Sequence, residues 1–285
     1  MTAGRAPGGL RAFAGFCADS AGRLRHSPSL RRSLALWLVI GLLGTEALSL
    51  AVAGLHGGGW ATASLGTAGW WALIALVMAG GAAMLERPDG VAVEAYGVPN
   101  GLSALRAWFC LPLLLCATWS LPGRLGFVLW VTVGGAVGML DFVDGFVARR
   151  FGPVTKLGKA IDPAMDVLFF SVGAVGSAHL GILTWWLAAL ILFRYLAPLL
   201  LTPVVFLLGR RPELVHTVWG RRSTALIGLV LIISMLVHVA GGPVALIDAA
   251  VGLPLLVPTC LLHFAALVRR VAGAPAAGHA QLLPS

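Results

Sequence analysis

The sequence predicts an all-α, polytopic membrane helical bundle: a six-helix core preceded by two extra transmembrane helices. Three observations carry that expectation. Hydrophobic residues make up 59% of the 285 positions and charged residues only 11%, with mean hydropathy +0.92; a soluble domain carries roughly 25% charged residues. The remaining charge is gathered into short clusters between long apolar runs, as in chains that cross a membrane several times. Basic residues also alternate sharply between successive loops.

The elements follow in order. Residues 1–33, Arg- and Ser-containing, are expected to form a mobile cytoplasmic tail. Arg31-Arg32 ahead of an apolar run, with Ala51-Val52-Ala53 after it, weakly resembles a twin-arginine export signal. A first transmembrane helix with cytoplasmic arginines explains the same residues. Spans at about 34–55 and 60–85 form an N-terminal two-helix unit over 34–96. Its linker carries Glu86, Arg87, Asp89 and Glu94, and either lies along the interface or joins the unit to the core. Six further spans, at about 102–119, 125–141, 161–180, 182–208, 224–239 and 246–268, form the core over 97–270. Each is near the roughly 20 residues that cross the hydrocarbon layer. They should be helices, since backbone polar groups in lipid must be satisfied within the segment. Trp60, Trp119, Trp185 and Trp186 sit near run ends, where interfacial belts place tryptophan. The Ala/Gly/Pro-rich residues 271–285 read as a disordered tail.

Charge placement tests this division. With loops numbered alternately by side, seventeen basic residues fall on one side and only Arg124 on the other; Arg106 and Arg194 lie inside spans. The positive-inside rule then puts both termini, and the segment from Asp141 to Asp166, at the cytoplasmic face of the cell membrane. The net charge of +9 could suggest nucleic acid. These arginines flank apolar spans, however, so anionic lipid headgroups are the nearer partner and nucleic acid is excluded. The four cysteines and seven histidines are scattered without metal-ligand spacing and read as packing or interfacial residues.

Asp141 to Asp166 holds four of the eleven acidic residues and both lysines. Asp141 and Asp144 lie three apart, and Asp162 and Asp166 four apart, so each pair shares a helix face. Two such pairs facing each other would form a cage of hard oxygen ligands suited to two Mg²⁺ or Mn²⁺ ions. Gly145 leaves room for a ligand beside the backbone, Arg149 can fork onto phosphate oxygens, and Gly158 permits close helix approach. A structural ion-pair network or an ion pathway is the competing reading. Glu46 and Asp248, the other acids within spans, have no motif and are expected to be structural or interfacial.

The whole pattern, D-x2-D-G-x2-A-R-x8-G-x3-D-x3-D, resembles the signature of the CDP-alcohol phosphatidyltransferase family, with all eight fixed positions present: Asp141, Asp144, Gly145, Ala148, Arg149, Gly158, Asp162 and Asp166. Pro99-Asn100-Gly101-Leu102-Ser103, followed by Arg106, is similar to the family's first core helix. Gly220-Arg221-Arg222-Ser223-Thr224 is similar to the entry of its fifth, with Arg221 replacing Lys. Arg194 sits where related synthases carry an arginine in the fourth. The resemblance spans about residues 97–270 and leaves the first two helices outside.

That resemblance implies six helices around a polar cavity open to the cytoplasm and to lipid. It implies that Asp141, Asp144, Asp162 and Asp166 hold two divalent metals, with Asp166 also the general base. Gly145, Arg149, Thr155, Asn100 and Ser103 would contact the CDP-linked donor. The implied reaction moves a phosphatidyl group from CDP-diacylglycerol to the hydroxyl of a small alcohol and releases CMP. Arg194 and Arg221 are candidates for binding an anionic acceptor, the alternative being that Arg194 pairs with a motif carboxylate and Arg221 marks the cytoplasmic interface; Arg210 and Arg211 either bind the acceptor or mark the interface. Val167 stands where glycerophosphate-using and cardiolipin-forming members commonly carry Lys, whereas Asp162-Pro163 fits the glycerophosphate branch better than the serine branch. Glycerol 3-phosphate is therefore the expected acceptor, with phosphatidylglycerol, inositol phosphate or another alcohol as alternatives. A transporter or a non-catalytic scaffold is the alternative of another class. Membrane lipids are expected partners, and a homodimer is compatible with the chain.

Overall fold

The computed structural model describes residues 9–151, 155–207 and 218–273; the side-chain surroundings of Asp141, Asp144, Gly145, Arg149 and Arg221 fall outside that description. The described chain is helical: α1 (Gly9–His26), α2 (Pro28–His56), α3 (Trp60–Gly80), a 3-10 turn at Ala82–Met84, α4 (Gly97–Thr118), α5 (Leu125–Phe151), α6 (Lys156–His179), α7 (Trp185–Leu207), α8 (Val218–Val239), the short α9 (Val244–Ile247), a π-turn at Asp248–Gly252, and α10 (Leu253–Gly273). Among the described residues six candidate membrane spans are long and apolar enough to cross: Pro28–His56, Trp60–Gly80, Gly97–Thr118, Lys156–His179, Arg222–Val239 and Val244–Gly273. Shorter apolar stretches at Leu125–Leu140 and Trp185–Leu201 lie in α5 and α7. Each of the eight expected spans thus overlaps helical segments, the last of them running through α9, the π-turn and α10, and the chain is an integral membrane protein.

Two boundaries differ from expectation. Residues 9–33 are not a loose tail: they form α1 and the first residues of α2. Ser20 Oγ donates to Gly80 O at 2.6 Å, and Arg23 reaches four carbonyls beyond α3, so tertiary bonds hold α1. At the other end α10 continues to Gly273, three residues past the expected core.

Local chemistry sets the helix ends. Ser27 caps α2 by accepting Leu30 N at 3.3 Å, with Pro28 at the first helical position. Gly57, at φ 85°, ends α2 in the left-handed region that favours glycine, and its amide returns to Gly54 O and Ala53 O. Gly181, at φ 74°, does the same after α6.

By compactness the chain divides into Met1–Phe169 and Phe170–Ser285, a boundary that falls inside α6. In the first unit one core joins the N-terminal helices to α4 and α6: Leu30, Leu34, Ile74, Met78, Leu85, Trp108, Leu157, Ile161 and Met165 pack together. Two indoles lock α2 to α4. A Cβ on Gly41 would overlap the Trp108 ring, and one on Gly101 would overlap the Trp37 ring. The indole N–H groups are also used: Trp70 donates to Ala107 O and Trp71 to Leu38 O, both at 2.9 Å. Burial pushes the Tyr96 phenol up, so its hydroxyl stays a donor, to Met78 O at 2.7 Å.

In the second unit Asp248 is fully buried within the π-turn. Its Oδ2 accepts Thr184 N at 2.7 Å and Thr184 Oγ1 at 2.8 Å, and its Oδ1 accepts Ser234 Oγ at 2.8 Å. The structural role expected of Asp248 is what these bonds describe. Cys110, Cys116 and Cys260 are free and buried, as packing residues should be, whereas Cys17 is free and exposed on α1.

Candidate active site

The site in the first unit is built from one face of α4 and the first three turns of α6. Asn100, Ser103 and Arg106 recur every three residues and are all buried, Arg106 to 2% exposure. A buried guanidinium within an apolar span requires a partner. Its Nη2 pairs with Asp166 Oδ1 at 3.2 Å. One turn earlier on both helices, Ser103 Oγ lies 3.4 Å from Asp162 Oδ1 and also donates to Pro99 O at 3.1 Å. One turn earlier on α4, and just ahead of the start of α6, Thr155 Oγ1 donates to Asn100 Oδ1 at 3.2 Å and accepts Gly158 N at 3.0 Å. Asn100 Nδ2 donates to Tyr96 O at 2.6 Å. Three successive rungs therefore join α4 to α6: Asn100–Thr155, Ser103–Asp162 and Arg106–Asp166.

Gly158 is what lets the first rung close. A Cβ there would lie 2.9 Å from Asn100 Oδ1. Thr155, Asn100, Ser103, Asp162 and Asp166 are thus brought together. Asp141, Asp144, Gly145 and Arg149 lie on α5, within Leu125–Phe151, with side-chain positions outside the described part. Among the described residues no three His, Cys, Asp or Glu side chains converge. The donor chemistry nonetheless fits hard divalent cations: Asp162 and Asp166 present carboxylates one turn apart on one helix, each braced from α4.

Arg194 lies in the second unit on α7 and is 6% exposed. Its Nε donates to Ser223 Oγ and its Nη2 to Gly220 O, both at 3.2 Å, and its guanidinium stands 4.8 Å from the Tyr195 ring centroid. Tyr195 OH donates to Thr224 Oγ1 at 3.1 Å. Arg194 therefore joins α7 to the segment Gly220–Thr224 at the start of α8, the stretch singled out in the sequence. The side chain of Arg221, and all of Arg210 and Arg211, lie outside the described residues. Arg106 had no assigned role in the sequence reading. The three-residue spacing from Asn100 through Ser103 was the signal that could have found it.

Two carboxylates one turn apart on one membrane helix, Asp162 exposed and Asp166 half-buried, are braced from another. The family described as CDP-alcohol phosphatidyltransferase matches residues 96–258, more than half of the 285-residue chain. The chain belongs to that family and is a phosphatidyltransferase. Among its relatives is the "probable phosphatidylglycerophosphate synthase" of Mycobacterium tuberculosis (strain H37Rv), 31% identical over 152 residues, covering 51% of this chain and 68% of that protein. Shorter likenesses are to the "cardiolipin synthase (CMP-forming)" of Streptomyces coelicolor, 32% identical over 87 residues (30% of this chain, 40% of that one). The "CDP-diacylglycerol–glycerol-3-phosphate 3-phosphatidyltransferase" of Rickettsia felis is 35% identical over 74 residues (25% and 38%). No solved structure matches the chain.

Proposed function

We propose that this enzyme transfers a phosphatidyl group from CDP-diacylglycerol to a hydroxyl of glycerol 3-phosphate and releases CMP. The observation that carries the reading is the ladder between α4 and α6, which seats two motif carboxylates against a hydroxyl and a guanidinium. The likeness to a phosphatidylglycerophosphate synthase over 68% of that protein supports the choice of acceptor.

Asp141, Asp144, Asp162 and Asp166 would hold two Mg²⁺ or Mn²⁺ ions, which when bound supply charge neutralisation to the pyrophosphate and the departing CMP. Asn100, Ser103, Gly145, Arg149 and Thr155 bind the cytidine diphosphate portion of the donor. Asp166 removes the proton from the acceptor hydroxyl. The freed oxygen forms a bond to the phosphorus bearing the lipid, and the bond from that phosphorus to the CMP oxygen breaks. Arg106 fixes the orientation of Asp166. Arg194 and Arg221 bind the acceptor phosphate, for which guanidinium forks are suited. The seventeen-to-one basic bias supports placing both termini and the aspartate motif at the cytoplasmic face.

Purified full-length protein in detergent, given CDP-diacylglycerol and Mg²⁺, should release CMP only when an acceptor is added, and should prefer glycerol 3-phosphate to glycerol. Equal use of the two would refute the phosphate-bearing acceptor. Preference for phosphatidylglycerol would favour cardiolipin formation instead, the second reading that the Streptomyces likeness supports.

A further inference from the structure

Arg23 and Glu86 lie outside the residues matched by the family, yet their contacts lead to the site. Arg23 is half-buried on α1. Its Nη1 donates to Ala82 O at 3.1 Å and Ala83 O at 3.2 Å; its Nη2 donates to Leu85 O at 3.1 Å and Val93 O at 3.2 Å. These carbonyls belong to both arms of a loop that closes on itself: Arg87 N donates to Val91 O and Val93 N to Leu85 O, both at 2.8 Å. A planar guanidinium can fork onto acceptors on two chain arms, whereas a lysine ammonium is a single point of charge.

The loop fastened in this way grips the start of α6. Glu86 O accepts Lys156 N at 2.9 Å, and Glu86 Oε1 accepts Lys156 Nζ at 2.6 Å. Leu157 fills the space that a Cβ on Gly81 would take and is buried in the core beside Leu85 and Met78. Thr155 and Gly158, the residues that meet Asn100, flank this anchored pair.

We propose that Arg23 and Glu86 are positioning residues for the donor substrate. Acting through the loop at 82–93, they hold the first turn of α6 so that Thr155, Gly158 and Asn100 keep the spacing a CDP-linked lipid requires. The inference rests on the proposed donor role of Asn100 and Thr155. The two residues differ in weight. The Glu86–Lys156 pair is half-exposed, with side chains 32% and 45% accessible, so its ionic part contributes little. Arg23 carries four half-buried bonds and should matter more.

The test uses the full-length protein with Arg23→Met, Arg23→Lys, Glu86→Lys, Lys156→Glu and the Glu86→Lys/Lys156→Glu double variant. Arg23→Met should raise the CDP-diacylglycerol KM about tenfold. Arg23→Lys should fail to restore it. Glu86→Lys and Lys156→Glu should each raise it about threefold, and the double swap should return it to within about twofold of wild type. The kcat and the glycerol 3-phosphate KM should stay within about twofold throughout. Amide exchange at residues 156–160, read without turnover, should be faster in Arg23→Met and Glu86→Lys and normal in the swap. An unchanged donor KM in folded Arg23→Met overturns the proposal. So does a fall in kcat and both affinities together that the swap does not repair, the mark of a merely structural role. If the wild-type protein turns over no CDP-diacylglycerol with any acceptor, the proposed function fails. Exchange then decides the clamp alone: unaltered exchange in Arg23→Met overturns it, and faster exchange sustains it.

Discussion

Replacing Gly158 by alanine adds one methyl group to the first turn of α6, where the site has least room. The new Cβ would lie 2.9 Å from Asn100 Oδ1 and 3.5 Å from Thr155 Oγ1. The first distance is shorter than packed carbon and oxygen tolerate, so the Asn100 amide must move. That amide is tied at both ends, to Thr155 Oγ1 at 3.2 Å and to Tyr96 O at 2.6 Å. Weakening one such buried bond costs about 1 kcal/mol. Overpacking adds about 1–3 kcal/mol. Against this, alanine is favoured over glycine in a helix interior by about 1 kcal/mol, and by less in a first turn. Overcrowding wins, with a net loss of about 1–3 kcal/mol. Gly173→Ala is the matched control on the same helix, because a Cβ there meets nothing within 4 Å. It should stabilise the protein by up to about 1 kcal/mol and leave activity unchanged. The assay pairs thermal unfolding in nanodiscs with steady-state kinetics. Gly158→Ala should melt lower and raise the CDP-diacylglycerol KM about tenfold, while the acceptor KM holds. Donor KM and melting temperature indistinguishable from those of Gly173→Ala would refute the reasoning from close approach.

Three further outcomes are expected. Chelation should abolish turnover and Mg²⁺ or Mn²⁺ restore it, and Asp141→Asn or Asp162→Asn should leave folded but inactive protein; full activity in excess chelator would sink the two-metal assignment. Asp166→Asn should lower kcat by at least about a hundredfold with little change in donor binding, as measured by single-turnover kinetics; weaker donor binding with an unchanged saturated rate would make Asp166 a binding residue only. Arg194→Ala should raise the acceptor KM while sparing the donor KM, with inorganic sulfate competing against the acceptor in the wild type. Because Ser223 and Gly220 then lose their donor, this variant should also lose about 1–3 kcal/mol of stability by thermal unfolding.

The parts of the fold legible in the sequence are those fixed by local periodicity. Among the described residues, long apolar runs place the six candidate spans and the two shorter apolar stretches, since the bilayer sets span length and lipid forces spans to be helical. The fixed spacing of Asp162 and Asp166 placed both carboxylates on one helix face, and they do face α4 together. Helix α1 escaped because it has no long apolar run. Its signal was the three- and four-residue spacing of Phe13, Phe16, Ser20 and Leu24, and what holds it is bonding to residues about sixty positions away. The structural role of Asp248 was legible but its partners were not, because Thr184 is 64 residues distant. Glycine is the hardest residue to read in advance. Gly57 turns the chain inside the Gly57-Gly58-Gly59 run between two apolar spans, whereas Gly41 and Gly101 admit an aromatic ring from another helix, which no residue beside them announces.

The indole seats between α2 and α4 bear on how far this enzyme can be treated as a transplantable catalytic cassette. Gly101 and Trp108 both lie within the matched residues 96–258, while their counterparts Trp37 and Gly41 lie outside them. A cassette moved onto a foreign leader would carry one empty dent and one bare indole on the very helix that presents Asn100, Ser103 and Arg106. Drift in either helix must be answered in the other, a methyl gained at Gly41 by a smaller ring at position 108. The two helices therefore fit as a matched pair, and chimeras joined at the edge of the family match should fail where chimeras that exchange α2 and α4 together succeed.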